Sequence, residues 1–254
     1  VVGAPGIGTT FIINILGTIA SQRGVKTAML DITKNKGLYW FYSDDTYKRT
    51  DIVENCFSSL GNGQAKPVSV GRNRNLDLYT TIPGGKESSV INYKHRQVLD
   101  TAKSNCQLLI IDCDFDTPLD YFDYATEIYI VHDLNLLNVP KTQTFLKKMK
   151  SKNVNWSKLK MIINNSVKSS ITAKKVVKNA LTYASDPNMT YTEEYPEIKD
   201  YYEIPLDSAN YSNYIDSMES GKINFDRFTD NFKKAFNSIA DIVIGSDGKK
   251  KGLF

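Results

Sequence analysis

The sequence predicts an α/β fold in which a mostly parallel central sheet carries helices on both faces. Three observations carry the prediction. Short apolar runs recur with helix-like segments between them; the chain opens on an apolar strand that runs directly into a glycine-rich turn and a helix; and Gln107 to Cys113 (QLLIIDC) reads as a buried strand. At 254 residues, one large domain is expected rather than two small ones.

The elements follow in chain order. Val1 and Val2 end the first strand, and Phe11 to Arg23 (FIINILGTIASQR) is an apolar helix with few charges, closed by Gly24. Val25 to Ile32 is a strand containing Asp31. A polar, aromatic-rich connection leads to a helix expected over Thr46 to Leu60, then to a strand at Leu76 to Ile82 and a loop reading PGGKESS. A helix over Tyr93 to Ser104 precedes the QLLIIDC strand. Two more strands are expected, Glu127 to Val131 and Leu159 to Asn164, with a crossover helix over Lys141 to Lys150 between them. Ile171 to Tyr183 reads as helix and Glu203 to Leu206 as a short strand. Phe225 to Ile244 reads as a helix whose Phe228, Phe232, Phe236 and Ile239 form a core-facing stripe. The tyrosine-rich stretch from Tyr183 to Tyr214 reads as a surface elaboration. We expect a domain over 1–245 and a basic tail over 246–254.

Composition narrows the function classes. No apolar run approaches the ~20 residues that span a bilayer. The net charge of +4 is small and its lysines are dispersed, so nucleic acid is not an expected partner. Cys56, Cys106 and Cys113 are odd in number and lack CxxC spacing, which points to a reducing cytoplasm rather than a disulfide framework. With His95 and His132 the only histidines, a transition-metal site is not expected. No signal-peptide pattern is visible, and a chain opening on a strand without methionine is expected to have been trimmed.

The opening VVGAPGIGTT nearly fits the phosphate-loop pattern GxxxxGK[ST]. Gly3 and Gly8 take the glycine positions, Thr9 stands where the lysine belongs, and Thr10 supplies the hydroxyl that ligates Mg²⁺. Gly3, Gly6 and Gly8 let the backbone N–H groups approach an anion, and the following helix turns its positive end to the same point. An ordinary strand-to-helix turn that merely contains glycines is the alternative. The strand Leu108 to Asp112 (LLIID) supplies a Walker B carboxylate, because Asp112 emerges at the sheet edge beside the phosphates.

In this order of elements the whole chain resembles the MinD/ParA group of deviant Walker ATPases, including its TadZ/CpaE pilus-assembly branch. The matching motifs are the phosphate loop, the DIT at Asp31 to Thr33 in place of a DxD switch, LDLYTTIPGG, the DCD of the Walker B strand, IYIVHDLNLLNVPKTQTFL, MIINN, and IPLDSANYSNYIDSMESGKI. The resemblance implies phosphate contacts from Gly3, Gly6, Gly8, Thr9 and Thr10, and Mg²⁺ support from Thr10 and Asp112. It also implies an adenine face from Asn164 or Asn165 with Pro205 and Asp207 of the IPLD loop. For Asn164, strand-end capping is an equal alternative.

The departures matter as much. Where the group carries a signature lysine that reaches a partner's nucleotide, this chain has Ala4; the second lysine is Thr9, and the water-positioning aspartate is Thr33. Each lost charge-assisted phosphate contact costs about 1.5–3 kcal/mol, roughly one to two decades in affinity, unless Lys34, Lys36 or Lys86 reaches in. Hydrolysis should suffer more than binding, since phosphoryl transfer rests on positioning and electrostatics.

The expected function is that of a degenerate MinD/ParA-like protein that binds ATP with Mg²⁺, hydrolyses it weakly or not at all, and positions or scaffolds a pilus, secretion or conjugation assembly. An active ATPase with a displaced lysine and a DNA partition factor are the alternatives. Protein partners and a nucleotide-insensitive homodimer are expected. The tail GKKKGLF (Gly248 to Phe254) resembles the first turn of a basic membrane-binding helix, which would place the chain weakly at the inner face of the membrane, with a disordered tail as the blander alternative.

Overall fold

The computed structural model describes residues 1–70, 75–87, 94–183, 193–194 and 198–245. The elements run β1 (Val2–Gly3), α1 (Thr9–Gln22), β2 (Thr27–Asp31), α2 (Gly37–Phe41), α3 (Ser43–Thr46), α4 (Thr50–Val53), α5 (Cys56–Gly61), β3 (Val68–Ser69) and β4 (Leu76–Tyr79). They continue with α6 (His95–Lys103), β5 (Leu108–Asp114), α7 (Asp120–Tyr124), β6 (Ile128–His132), α8 (Val139–Ser151), β7 (Leu159–Ser166) and α9 (Ala173–Leu181). The last are β8 (Thr182–Tyr183), β9 (Glu193–Glu194), β10 (Tyr201–Pro205), α10 (Ser208–Ser220) and α11 (Asp230–Ile244).

Among the described residues, eight strands form one sheet in the order β10-β7-β6-β1-β5-β2-β4-β3. Every pairing in it is parallel except that of β3 with β4, and β8 pairs antiparallel with β9 apart from it. A parallel sheet gathers the C-terminal ends of its strands at one edge, where crossing loops can build a site. The register places Asp31 beside Asp112 and Gly3 beside Asp114, so the loop after β1 and the ends of β2 and β5 meet there.

Both faces of the sheet are covered. On one, Ile12, Ile15 and Ile19 of α1 pack with Phe232, Phe236 and Ile239 of α11. On the other, Phe57, Val98, Tyr121, Phe145 and Val176 bring in α5 to α9. Helix α1 is buried without a break from Ile12 to Ser21, which explains its nearly uncharged sequence. The phenylalanine stripe is core: Phe228, Phe232 and Phe236 are at most 2 % exposed, and Phe11 of α1 meets the Phe236 ring edge-on at 5.9 Å.

The structure corrects several sequence expectations. The helix expected over Thr46 to Leu60 is broken into α3, a 3-10 turn, α4 and α5. The reason is distant in sequence: Glu87 accepts from the Phe57 and Ser58 N–H groups at 2.8 and 3.0 Å, capping α5 as a separate helix. The helix expected from Phe225 begins as a 3-10 turn, and extended backbone at Phe228 and Thr229 separates it from α11. Within the tyrosine-rich stretch, the expected strand at Glu203 to Leu206 is present as β10, whereas β9 and helix α10, capped by Asp207, were not expected. Among the described residues no helix is long and apolar enough to cross a membrane. The tail 246–254, the end of PGGKESS, the expected helix start at Tyr93 and parts of the stretch after Tyr183 lie outside the described residues.

Phe236 joins α1, α11 and the sheet, so Phe236→Ala should cost about 3–5 kcal/mol. Urea unfolding should show a lower midpoint with an unchanged slope; a loss under about 1 kcal/mol would mean that this core collapses around the gap.

Candidate functional site

The loop between β1 and α1 is shaped by backbone demands. Gly6 (φ 86°) and Gly8 (φ 91°) occupy the left-handed region, and Gly8 is the residue on which α1 starts. A Cβ on Gly8 would lie 2.4 Å from Asn164 Nδ2 and one on Gly3 would lie 2.7 Å from Thr9 Oγ1, whereas Gly6 faces open space. Helix α1 has no side-chain cap and no acidic residue in its first turn. Its first N–H groups have no carbonyl one turn back within the helix, and its N-terminus is the positive end of the helix dipole. The result is a cradle suited to an anion. Thr9 contributes no charge to it, and Ala4, 3 % exposed, packs with Ile7.

Beside the cradle stands a carboxylate pair. Thr10 Oγ1 donates to Asp112 Oδ2 at 2.7 Å, while Asp112 Oδ1 is buried with no hydrogen-bond partner among the described residues. Burial, and then the neighbouring Asp31, push the Asp112 carboxyl up to about 8. Burial likewise raises Asp31, against the opposing pull of Lys36 and hydrogen bonds from Thr33 and Leu38. An unpartnered oxygen next to a threonine hydroxyl fits a hard cation that takes oxygen ligands and keeps several waters. Among the described residues no cluster of three or more His, Cys, Asp or Glu side chains could hold a metal alone, so Mg²⁺ would rest on Thr10, Asp112, water and phosphate.

The DIT segment is knotted onto Asp31. Asp31 Oδ1 accepts from Thr33 N and Thr33 Oγ1 at 3.1 and 2.7 Å, and Oδ2 accepts from Leu38 N at 3.0 Å. Thr33 therefore clamps Asp31 and does not replace the second aspartate chemically. Of the three lysines considered as substitutes, Lys34 pairs with Asp116 at 2.6 Å on the surface and Lys86 is exposed. Lys36 is fully buried, and its ammonium donates to the Asp31 carbonyl at 3.2 Å.

At the far strand end the two asparagines separate. Asn164 is 2 % exposed and its Nδ2 donates to Ile7 O at 2.9 Å, so its amide nitrogen supports the cradle from below. Asn165 is exposed, in left-handed backbone at φ 54°. Pro205 is half-buried, and Asp207 Oδ1 accepts from the Ala209 and Asn210 N–H groups at 2.8 and 3.1 Å. Sequence reasoning missed the hold of Asn164 on Ile7 and the part of Gly37, whose Cβ would lie 2.7 Å from Thr10 Oγ1. The glycine ending the DITKNKG run was the available signal for that close approach.

No family model matches the sequence, and no curated protein matches it. Solved structures do match in fold. An McdA variant of Cyanothece in complex with ATP superposes with a TM-score of 0.69 at 13% identity, covering 96% of this chain and 95% of that one. MinD of Pyrococcus horikoshii complexed with Mg-ADP gives 0.66 at 15% over 99% and 98%. A ParA family ATPase from Chlorobium tepidum gives 0.65 at 19% over 94% and 96%. The fold is thus that of the MinD/ParA P-loop NTPases.

The raised Asp112 carboxyl has a consequence for stability. Folding favours its protonated form, so this contribution is complete below the ordinary value of 3.8 and is lost as pH rises toward about 8. In thermal melts with chelator, Asp112→Asn, neutral throughout, should lose less Tm than the wild type across that window. Equal slopes for the two proteins would contradict the assignment.

Proposed function

We propose that this chain binds ATP with Mg²⁺ at the 3–10 loop, hydrolyses it weakly or not at all, and acts by positioning or scaffolding a larger assembly. A pilus, secretion or conjugation apparatus, as in the TadZ/CpaE branch, is the machinery we assign to it. The observation that carries this reading is a complete backbone cradle with the Thr10–Asp112 pair beside it and no lysine ammonium in the loop.

In this reading the N–H groups of the loop and first turn of α1 hold phosphate, Thr10 and Asp112 hold Mg²⁺, and Asn165 with Pro205 and Asp207 borders the base. The bound Mg²⁺ supplies charge neutralisation for the phosphates. Support also comes from similar folds that carry ATP in McdA and Mg-ADP in MinD. The weak-hydrolysis half rests on Ala4, Thr9 and Thr33. A displaced-lysine ATPase is less well supported, because Lys34 is engaged by Asp116 and the Lys36 ammonium by the Asp31 carbonyl. Residues 1–245 act as one nucleotide-binding unit with 246–254 as a basic tail. Any homodimer is insensitive to nucleotide, since Ala4 offers no ammonium to a partner's phosphates.

Thr9→Lys should tighten ATP binding by roughly one to two decades, the value of one charged phosphate contact. Unchanged affinity in a folded variant would mean that the loop is not a phosphate site. Phosphate release by the wild type should match that of Asp112→Asn; release many-fold faster would remove the weak-hydrolysis half.

A further inference from the structure

The acidic edge already contains a cation. Lys36 is 0 % exposed, and its Nζ lies 3.2 Å from the Asp31 carbonyl and 5.3 Å from the centre of the Phe57 ring. Burying an ammonium this completely is strongly unfavourable unless opposite charge faces it. Burial pushes the Lys36 ammonium below its ordinary range, and Asp31 most strongly, then Cys56, Asp114 and Asp112, act against that shift. Its backbone sits in left-handed conformation at φ 49°, which a residue with a side chain holds only when its surroundings impose it. Here Lys36 N donates to Thr33 Oγ1 at 3.2 Å, tying the same residue to Asp31 at both ends. The next residue, Gly37, abuts Thr10, the hydroxyl that donates to Asp112.

We propose that the Lys36 ammonium is the resident cation of this edge, and that Lys36 and the 32–38 segment it anchors must withdraw from Asp31 and Thr10 before a divalent cation binds. The inference rests on reading Thr10 and Asp112 as Mg²⁺ ligands. Two cations facing the same buried carboxylates repel, so each binds at the other's expense, and the competition is reciprocal. Mg²⁺ alone then binds weakly, and bound nucleotide with its metal drives the segment open. Helix α2 follows Gly37 directly and Trp40 N donates to Lys36 O at 3.3 Å, so the indole of Trp40 reports on the segment.

The test uses the full chain carrying Trp156→Phe, which leaves Trp40 as the sole tryptophan. Its fluorescence is followed during titration with MgCl₂ alone and, separately, with ATP and MgCl₂. Lys36→Met keeps the side-chain length and removes the charge; it should bind Mg²⁺ alone at least about tenfold tighter than the parent, while Lys36→Arg behaves as the parent. Should Lys36→Met fail to fold, Gly37→Ala presses the segment off Thr10 with the lysine intact and should tighten Mg²⁺ in the same sense. Equal Mg²⁺ affinity in the folded variant and the parent overturns the proposal. If the parent still binds ATP with Mg²⁺, the nucleotide reading survives that result; if neither protein binds ATP, both readings fall together.

Discussion

Two carboxylates side by side at the end of adjacent buried strands are the constraint around which this edge is organised. The parallel register of β2 and β5 sets Asp31 directly beside Asp112, and both are fully buried. Neither can stay there without partners. The 32–38 segment is the response on the Asp31 side: the Thr33 and Leu38 N–H groups and the Thr33 hydroxyl donate to the carboxylate, and the Lys36 ammonium donates to the Asp31 backbone carbonyl. On the Asp112 side the response is Thr10, and it is incomplete, because one carboxylate oxygen has no partner among the described residues. On that residual demand rests the proposal that the edge takes a cation.

The half of the edge proposed to hold an anion is built from a different material. It needs backbone N–H groups held in place, which depends on conformation more than on side-chain identity. Left-handed Gly8 starts α1, and the buried amide of Asn164 holds the Ile7 carbonyl from β7. Such a cradle can persist while side chains change around it. This accounts for a shared fold with MinD, McdA and ParA proteins at 13 to 19% identity.

Much of this was legible from the chain itself, and the rest was hidden for identifiable reasons. Buried parallel strands read as plain apolar runs, so β2, β5, β6 and β7 stood out, and the spacing of Gly3, Gly8, Thr10 and Asp112 placed the edge. The phenylalanine stripe declared its face through helical periodicity. What escaped depends on contacts between residues far apart: Glu87 cutting a helix at Phe57, or Asn164 reaching 157 positions back to Ile7. Lys36 was visible only as one of three lysines that could reach the loop. Its burial follows from the tertiary placement of Phe57 and Asp31, which no local pattern records. Helix α10 was hidden by a polar, tyrosine-rich composition that lacks a clear apolar period.

The central claim is that the glycine loop and Asp112 form a nucleotide phosphate site that lacks the lysines of an efficient ATPase. Calorimetric titration of the full chain with ATP and Mg²⁺ tests it most directly. The account predicts saturable one-to-one binding in the wild type that weakens at least about tenfold in Asp112→Asn, the loss of one charge-assisted interaction. No binding at millimolar ATP, or binding that Asp112→Asn leaves unchanged, would contradict it.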